Sequence, residues 1–116
     1  PTEIGDLLDH QVVGYDRSDE IVLGFAAAGV VVDRHFFSVR CDDQVAYWHL
    51  VVAGAGIGFS QVRVGDAEPL VRRLLPEFAI PPLPVWLTAH AGLRTNPRVR
   101  RVFDFLAERL AQPGRI

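Results

Sequence analysis

Residues 12–60 alternate short apolar runs with segments of helical spacing, and this alternation constrains the fold more than any other feature. Val12-Val13-Gly14-Tyr15 reads as a short buried strand. Ser18 follows as an N-cap, with Asp19 and Glu20 in a first turn where the helix dipole favours acids. Ile21, Val22, Phe25 and Ala28 fall at helical spacing, and Gly29 stands where a left-handed stop belongs. Phe36-Phe37-Ser38-Val39-Arg40 predicts a second strand. Asp42 is expected to cap a second helix whose Val45, Trp48 and Val52 share a face, with Gly54 ending it. Gly56-Ile57-Gly58-Phe59-Ser60 predicts a third strand. Strand, helix, strand, helix, strand in this order implies an α/β fold: a parallel sheet with right-handed crossovers and helices on its faces.

The flanking segments follow a different grammar. Asp6-Leu7-Leu8 suggests one helical turn. Leu70–Leu75 is expected to be a strand ending at Pro76, and Val85-Trp86-Leu87-Thr88 is a β-rich run. Between them, Pro81, Pro82 and Pro84 mark a subdomain boundary. Asn96 and Pro97 open a helix as cap and first helical residue. Val99, Val102, Phe103, Leu106 and Leu110 then form an apolar stripe, with Arg100 and Asp104 paired across one turn. No internal repeat is visible.

Composition removes several classes of function. Twelve arginines, with no lysine, stand against 14 acids, a net charge of −2. A surface built to bind nucleic acid would be strongly basic. One cysteine permits no internal disulfide. No apolar run reaches the ~18 residues that a membrane span needs, and no signal peptide opens the chain. The chain holds no Met and begins at Pro1; it is expected to lack its translational start, either by processing or as a piece of a longer protein.

In an open parallel sheet, ligands bind beyond the carboxyl ends of the strands. Those ends are Tyr15-Asp16-Arg17-Ser18, Arg40-Cys41-Asp42 and Phe59-Ser60-Gln61. The first two also open helices, where free N–H groups attract anions. Arg17 and Arg40 are suited to charge-assisted bonds with a carboxylate. Taken singly, Ser18 and Asp42 are adequately explained as caps, and Arg17 and Arg40 as solvated charges; their convergence on one edge supports binding of a small organic anion. Gly54-Ala55-Gly56-Ile57-Gly58 lies between a helix and the following strand, the reverse of a dinucleotide fingerprint, so close packing is its expected use. Cys41 lies beside Arg40 near a helix start, a setting reactive thiols use, although lone cysteines more often serve as small apolar residues. The four histidines lack metal-ligand spacing. No cofactor, nucleophile–base pair or Walker loop is read.

Several segments together resemble the effector-binding domain of LysR-type transcriptional regulators, specifically its C-terminal part. They are Gly14–Asp19, Arg40–Gln44, Val52-Ala53-Gly54-Ala55-Gly56-Ile57-Gly58-Phe59, Leu70–Pro76, and Asn96-Pro97-Arg98-Val99-Arg100-Arg101-Val102-Phe103-Asp104-Phe105-Leu106. The resemblance implies a Rossmann-like βαβαβ lobe of a two-lobed, periplasmic-binding-protein-like (type 2) domain, here truncated. Residues 1–83 would form the second lobe. Residues 84–116 would supply the crossover strand and the C-terminal helix that belong to the first. It further implies a small-molecule effector in the cleft, met by Asp16, Arg17 and Ser18 and by Arg40, Cys41 and Asp42. DNA would be read only by a winged helix-turn-helix outside this sequence.

The expected role is therefore effector sensing in a cytoplasmic regulator, not an enzyme. The alternative is a solute-binding protein of a transport system with the same fold. With no first lobe, the Val85–Leu87 edge and the apolar stripe of the last helix would be uncovered. Self-association is then expected, with the terminal segment exchanged between copies.

Overall fold

The computed structural model describes residues 1–78, 80–82, 84–93 and 95–111. Leu83, at the expected lobe boundary, and residues 112–116, the end of the expected C-terminal segment, lie outside the described residues. The chain divides into two compact units, Pro1–Ile80 and Pro81–Ile116.

The first unit is mixed α/β around a small parallel sheet. Strand β1 (Val13–Gly14) pairs in parallel with β2 (Val39–Arg40), in the register Val13 with Val39 and Gly14 with Arg40. A single parallel bridge joins Val12 to Ile57 on the other side of β1. The Val13 N–H donates to the Ile57 carbonyl at 2.8 Å, and the Ile57 N–H to the Gln11 carbonyl at 2.8 Å. Three chain segments thus lie side by side in parallel, as the alternation predicts. The third makes only that bridge, not the strand expected over residues 56–60. Helix α1 (Glu20–Ala27) and helix α2 (Gln44–Val52) supply the crossovers.

The second expected strand is also shorter than the apolar run. Its first residue, Phe36, instead ends a 3₁₀ segment, Arg34–Phe36, in which the Asp33 carboxylate accepts the His35 N–H. Phe36 and Phe37 consequently serve as core side chains against Phe25, with ring centroids 5.9 and 6.4 Å away. The Leu70–Leu75 strand does not form. Leu70 is exposed, and its N–H donates to the Glu68 carboxylate at 3.1 Å. An apolar run with no neighbouring strand edge has nothing to pair with. A five-residue helix, α3 (Val62–Asp66), precedes it.

The core comprises Leu7, Val12, Val13, Ile21, Phe25, Phe37 and Tyr47. Leu7 comes from a 3₁₀ turn, Ile4–Asp9, where one helical turn is expected. Ile21 and Phe25 are the buried face of α1, and Gly29, at φ +81°, stops it as predicted. In α2 the predicted face is displaced: Val45 is exposed, Trp48 and Val52 are half-buried, and Tyr47 is the fully buried residue. The reason is polar. The Tyr47 hydroxyl donates to the Val13 carbonyl at 3.1 Å and accepts the Phe59 N–H at 3.0 Å. It satisfies two backbone groups that the short ladders leave over.

Glycines permit the close approaches. A Cβ on Gly14 would lie 2.7 Å from Phe37 Cδ1, and one on Gly56 would lie 2.7 Å from the Gln11 carbonyl oxygen. The glycine-rich segment serves close packing, as its position between helix and strand implies.

In the second unit, helix α4 (Pro97–Ala111) begins as predicted, with Asn96 Oδ1 accepting the N–H groups of Arg98 at 3.0 Å and Val99 at 3.4 Å. Arg100 and Asp104 pair at 3.7 Å along its surface. The β-rich run Val85–Thr88 forms no strand, and Val85 and Trp86 are exposed.

Burial disfavours the ionised phenol and pushes Tyr47 up to about 12, so the hydroxyl keeps its proton and remains a donor at neutral pH. Tyr47→Phe strands the Val13 carbonyl and the Phe59 N–H. Denaturant unfolding is expected to show a loss of about 1–3 kcal/mol, with the fold retained.

Candidate functional site

The carboxyl ends of β1 and β2 continue into two loops, residues 15–19 and 41–43, that are held together side by side. The pairing begins in the backbone, where the Cys41 N–H donates to the Gly14 carbonyl at 3.0 Å. Beyond that point a side chain takes over. Asp42 Oδ1 accepts the Asp16 N–H at 2.9 Å and the Arg17 N–H at 3.0 Å. A carboxylate bound by two backbone donors is stabilised in its charged form. The Arg17 N–H is the largest influence holding Asp42 below the usual carboxylate range; partial desolvation opposes it, and the Asp16 N–H and Arg17 charge reinforce it.

Asp42 therefore clamps the neighbouring loop and does not cap α2. The capping belongs to Asp43, whose Oδ1 accepts the N–H groups of Val45 at 3.0 Å and Ala46 at 2.8 Å. The same one-residue displacement occurs at α1. Its N-cap position is Asp19, and Ser18 Oγ accepts the Glu20 N–H at 3.3 Å.

The charges on this edge form a connected set. Asp16 Oδ1 accepts from Arg40 Nε at 3.0 Å and from Arg34 Nη2 at 2.9 Å. Arg40 Nη1 donates to the carbonyls of Phe37 at 3.0 Å and Arg34 at 3.1 Å. Arg17 reaches Asp42 at 3.7 Å and is otherwise open to water, with its side chain 90% exposed. Cys41 is half-buried, and its thiol donates to the Asp43 carbonyl at 3.6 Å. Tyr15 stacks obliquely on Tyr47, with centroids 5.1 Å apart, and its hydroxyl donates to Gln44 at 3.3 Å.

Asp16, Arg17, Arg40, Cys41 and Asp42 are thus brought to one edge by direct contacts, and Ser18 stands at its end, turned into the start of α1. Arg34 and Asp43 belong to the same constellation and are not among the residues that the sequence pattern points to. Asp43 carries a legible signal, since an acid two residues before Val45 suits a cap as well as Asp42 does. Arg34 carries little: it is brought in by the turn that Asp33 nucleates. An open hollow of about 380 Å³, lined by Leu8, Val31, Val32, Asp33 and Phe36, is walled by other residues than this edge. Among the described residues, no three His, Cys, Asp or Glu side chains gather as a metal site, and no helix is long and apolar enough to cross a membrane.

These polar, hydrogen-bonded loops lie beyond the carboxyl ends of a parallel sheet, the side on which open α/β folds take their ligands. The chain matches the LysR substrate binding domain over residues 1–111 and belongs to that family. Comparisons with curated proteins and with solved structures found no match.

Because Asp42 is lowered, its clamp is complete above the usual aspartate range and is lost as pH falls through the lower folded value. The Asp16 and Arg17 amide protons should report this in an NMR titration, moving together with an inflection below the usual range. In Asp42→Asn that shared inflection should vanish.

Proposed function

We propose that this chain is an effector-sensing domain of a LysR-type transcriptional regulator and binds a small organic anion at the edge formed by residues 15–18 and 40–42. The observation that carries the reading is the Asp42 clamp in a chain of this family. It holds two strand-end loops together through the Asp16 and Arg17 N–H groups, and the side chains of Asp16, Arg17 and Arg40 are 48%, 90% and 30% exposed on the rim so formed. Binding residues held by hydrogen bonds within a rigid scaffold discriminate ligands better than residues on free loops. The Rossmann-like lobe of a type 2 periplasmic-binding-protein-like domain is the architecture proposed for residues 1–83. Residues 84–116 are assigned to the return segment and helix of the other lobe.

The effector would act by differential affinity for two arrangements of the regulator, since a ligand that binds both equally shifts nothing. DNA recognition is assigned to a winged helix-turn-helix elsewhere in the regulator, and the setting is cytoplasmic. No chemistry on the ligand is proposed. Calorimetric titration of organic acids, followed by operator affinity of the whole regulator with and without the acid that binds, tests the reading. Binding with a changed operator affinity supports it. Binding without any operator response favours the solute-binding alternative, and failure of all organic anions to bind overturns it.

The second unit supports a further expectation, self-association of copies. Val85, Trp86, Val102, Phe105 and Leu110 are each at least 45% exposed, and large apolar side chains left in water favour association that covers them. Sedimentation velocity on the 116-residue chain should show a dimer or larger species whose share grows with concentration. Trp86→Ser combined with Phe105→Ser should shift it toward monomer.

A further inference from the structure

Asp16 holds an unusual place on this edge. One oxygen of its carboxylate receives two guanidinium groups, Arg40 through Nε and Arg34 through Nη2, at 3.0 and 2.9 Å. Two arginines converging on a carboxylate make a carboxylate-binding site, and here the carboxylate comes from the chain itself. We infer that Asp16 is an internal stand-in for the ligand's carboxylate, and that an organic acid binds by exchanging with it in the clamp formed by Arg34 and Arg40. The inference rests on the effector-binding reading above and specifies how that edge is controlled.

Three features make the exchange possible. First, the Arg40 half of the clamp does not depend on Asp16 for its shape. Arg40 Nη1 is tied to the carbonyls of Arg34 and Phe37, so its guanidinium stays oriented when Asp16 leaves. The first of those carbonyls belongs to the residue that supplies the second guanidinium, so Arg40 also holds the backbone from which Arg34 reaches across. Second, the Asp16 backbone is anchored separately, by the Asp42 carboxylate on the Asp16 and Arg17 N–H groups. The Asp16 side chain can therefore rotate out while the loop stays in place. Third, the group is reachable: the side chains of Asp16 and Arg34 are about half exposed, and that of Arg40 is 30% exposed. A ligand thus meets an oriented Arg40, with Arg34 beside it, occupied by a tethered competitor, and its apparent affinity falls in proportion to the fraction of time the site is free.

The test uses succinate as probe on the 116-residue chain, with the Arg34 and Arg40 side-chain Nε signals followed by NMR at constant ionic strength. Asp16→Asn removes the competing charge and should bind succinate about threefold or more tightly than wild type, in line with the modest strength of exposed ion pairs. Asp16→Glu, which keeps the charge, should show no such gain. Adding Arg34→Gln to Asp16→Asn should abolish the gain. Thermal unfolding of each variant confirms a folded chain, as expected for solvent-accessible side chains. Equal or weaker binding by Asp16→Asn, with wild type still binding at Arg40, overturns the exchange and leaves the effector reading intact. Unmoved Arg34 and Arg40 signals in every form also overturn it; the effector reading then stands or falls on the operator response alone.

Discussion

The hydroxyl of Tyr47 is the point on which the first unit turns. It lies where α2, β1 and the segment after Gly58 meet, and it bonds to the backbone of both extended segments. A sheet this narrow cannot satisfy its own polar groups by ladder pairing alone. An unsatisfied buried carbonyl or amide costs about 1–3 kcal/mol. A side chain of the helix above therefore completes the ladder from outside. Phe cannot do this, and a shorter hydroxyl would not reach with an aromatic body still filling the core. The rotation of α2 about its axis follows from this bond, which turns Tyr47 inward and leaves Val45 exposed.

That rotation, together with the start of α2, arranges the polar edge. Because Asp43 satisfies the first N–H groups of the helix, Asp42 is free to face the other way and hold residues 16 and 17. The loop so held presents Asp16 to Arg34 and Arg40. The path from core to edge therefore runs through few bonds: a phenol sets the helix, the helix start separates two neighbouring aspartates, and one of these positions the charged residues. Electrostatic terms are modest for side chains this exposed, so the backbone bonds account for the order of the edge.

Much of the first unit is legible in its residue order because local signals and tertiary packing agree there. Gly29 and Gly54 stop helices with φ of +81°, Ile21 and Phe25 face inward, and the three extended segments run parallel. The α/β class follows from that alternation, and the polar loops at the strand ends follow from the class. What escapes the sequence is decided by competition between near-equal neighbours. Asp42 and Asp43 are equally good caps in isolation, and only contact with residues 25 and 26 positions earlier assigns their tasks. Phe36 and Phe37 suit a strand by propensity, but Asp33 turns the chain first. Val85–Thr88 has the composition of a strand, yet composition supplies no edge for it to join. Arg34 enters the site through that same turn, beyond the reach of spacing rules.

The division of labour between Asp42 and Asp43 has a consequence for how this segment can change over time. Each acid works because of its register against a different structure, one against the helix and one against the facing loop. Exchange of either for another short acceptor alters one contact. Removal or insertion of a single residue between Cys41 and Gln44 moves both at once, separating the helix start from the strand end that it adjoins. Lineages of this domain should therefore vary in chemistry at positions 42 and 43 while keeping the spacing between β2 and α2 constant in length.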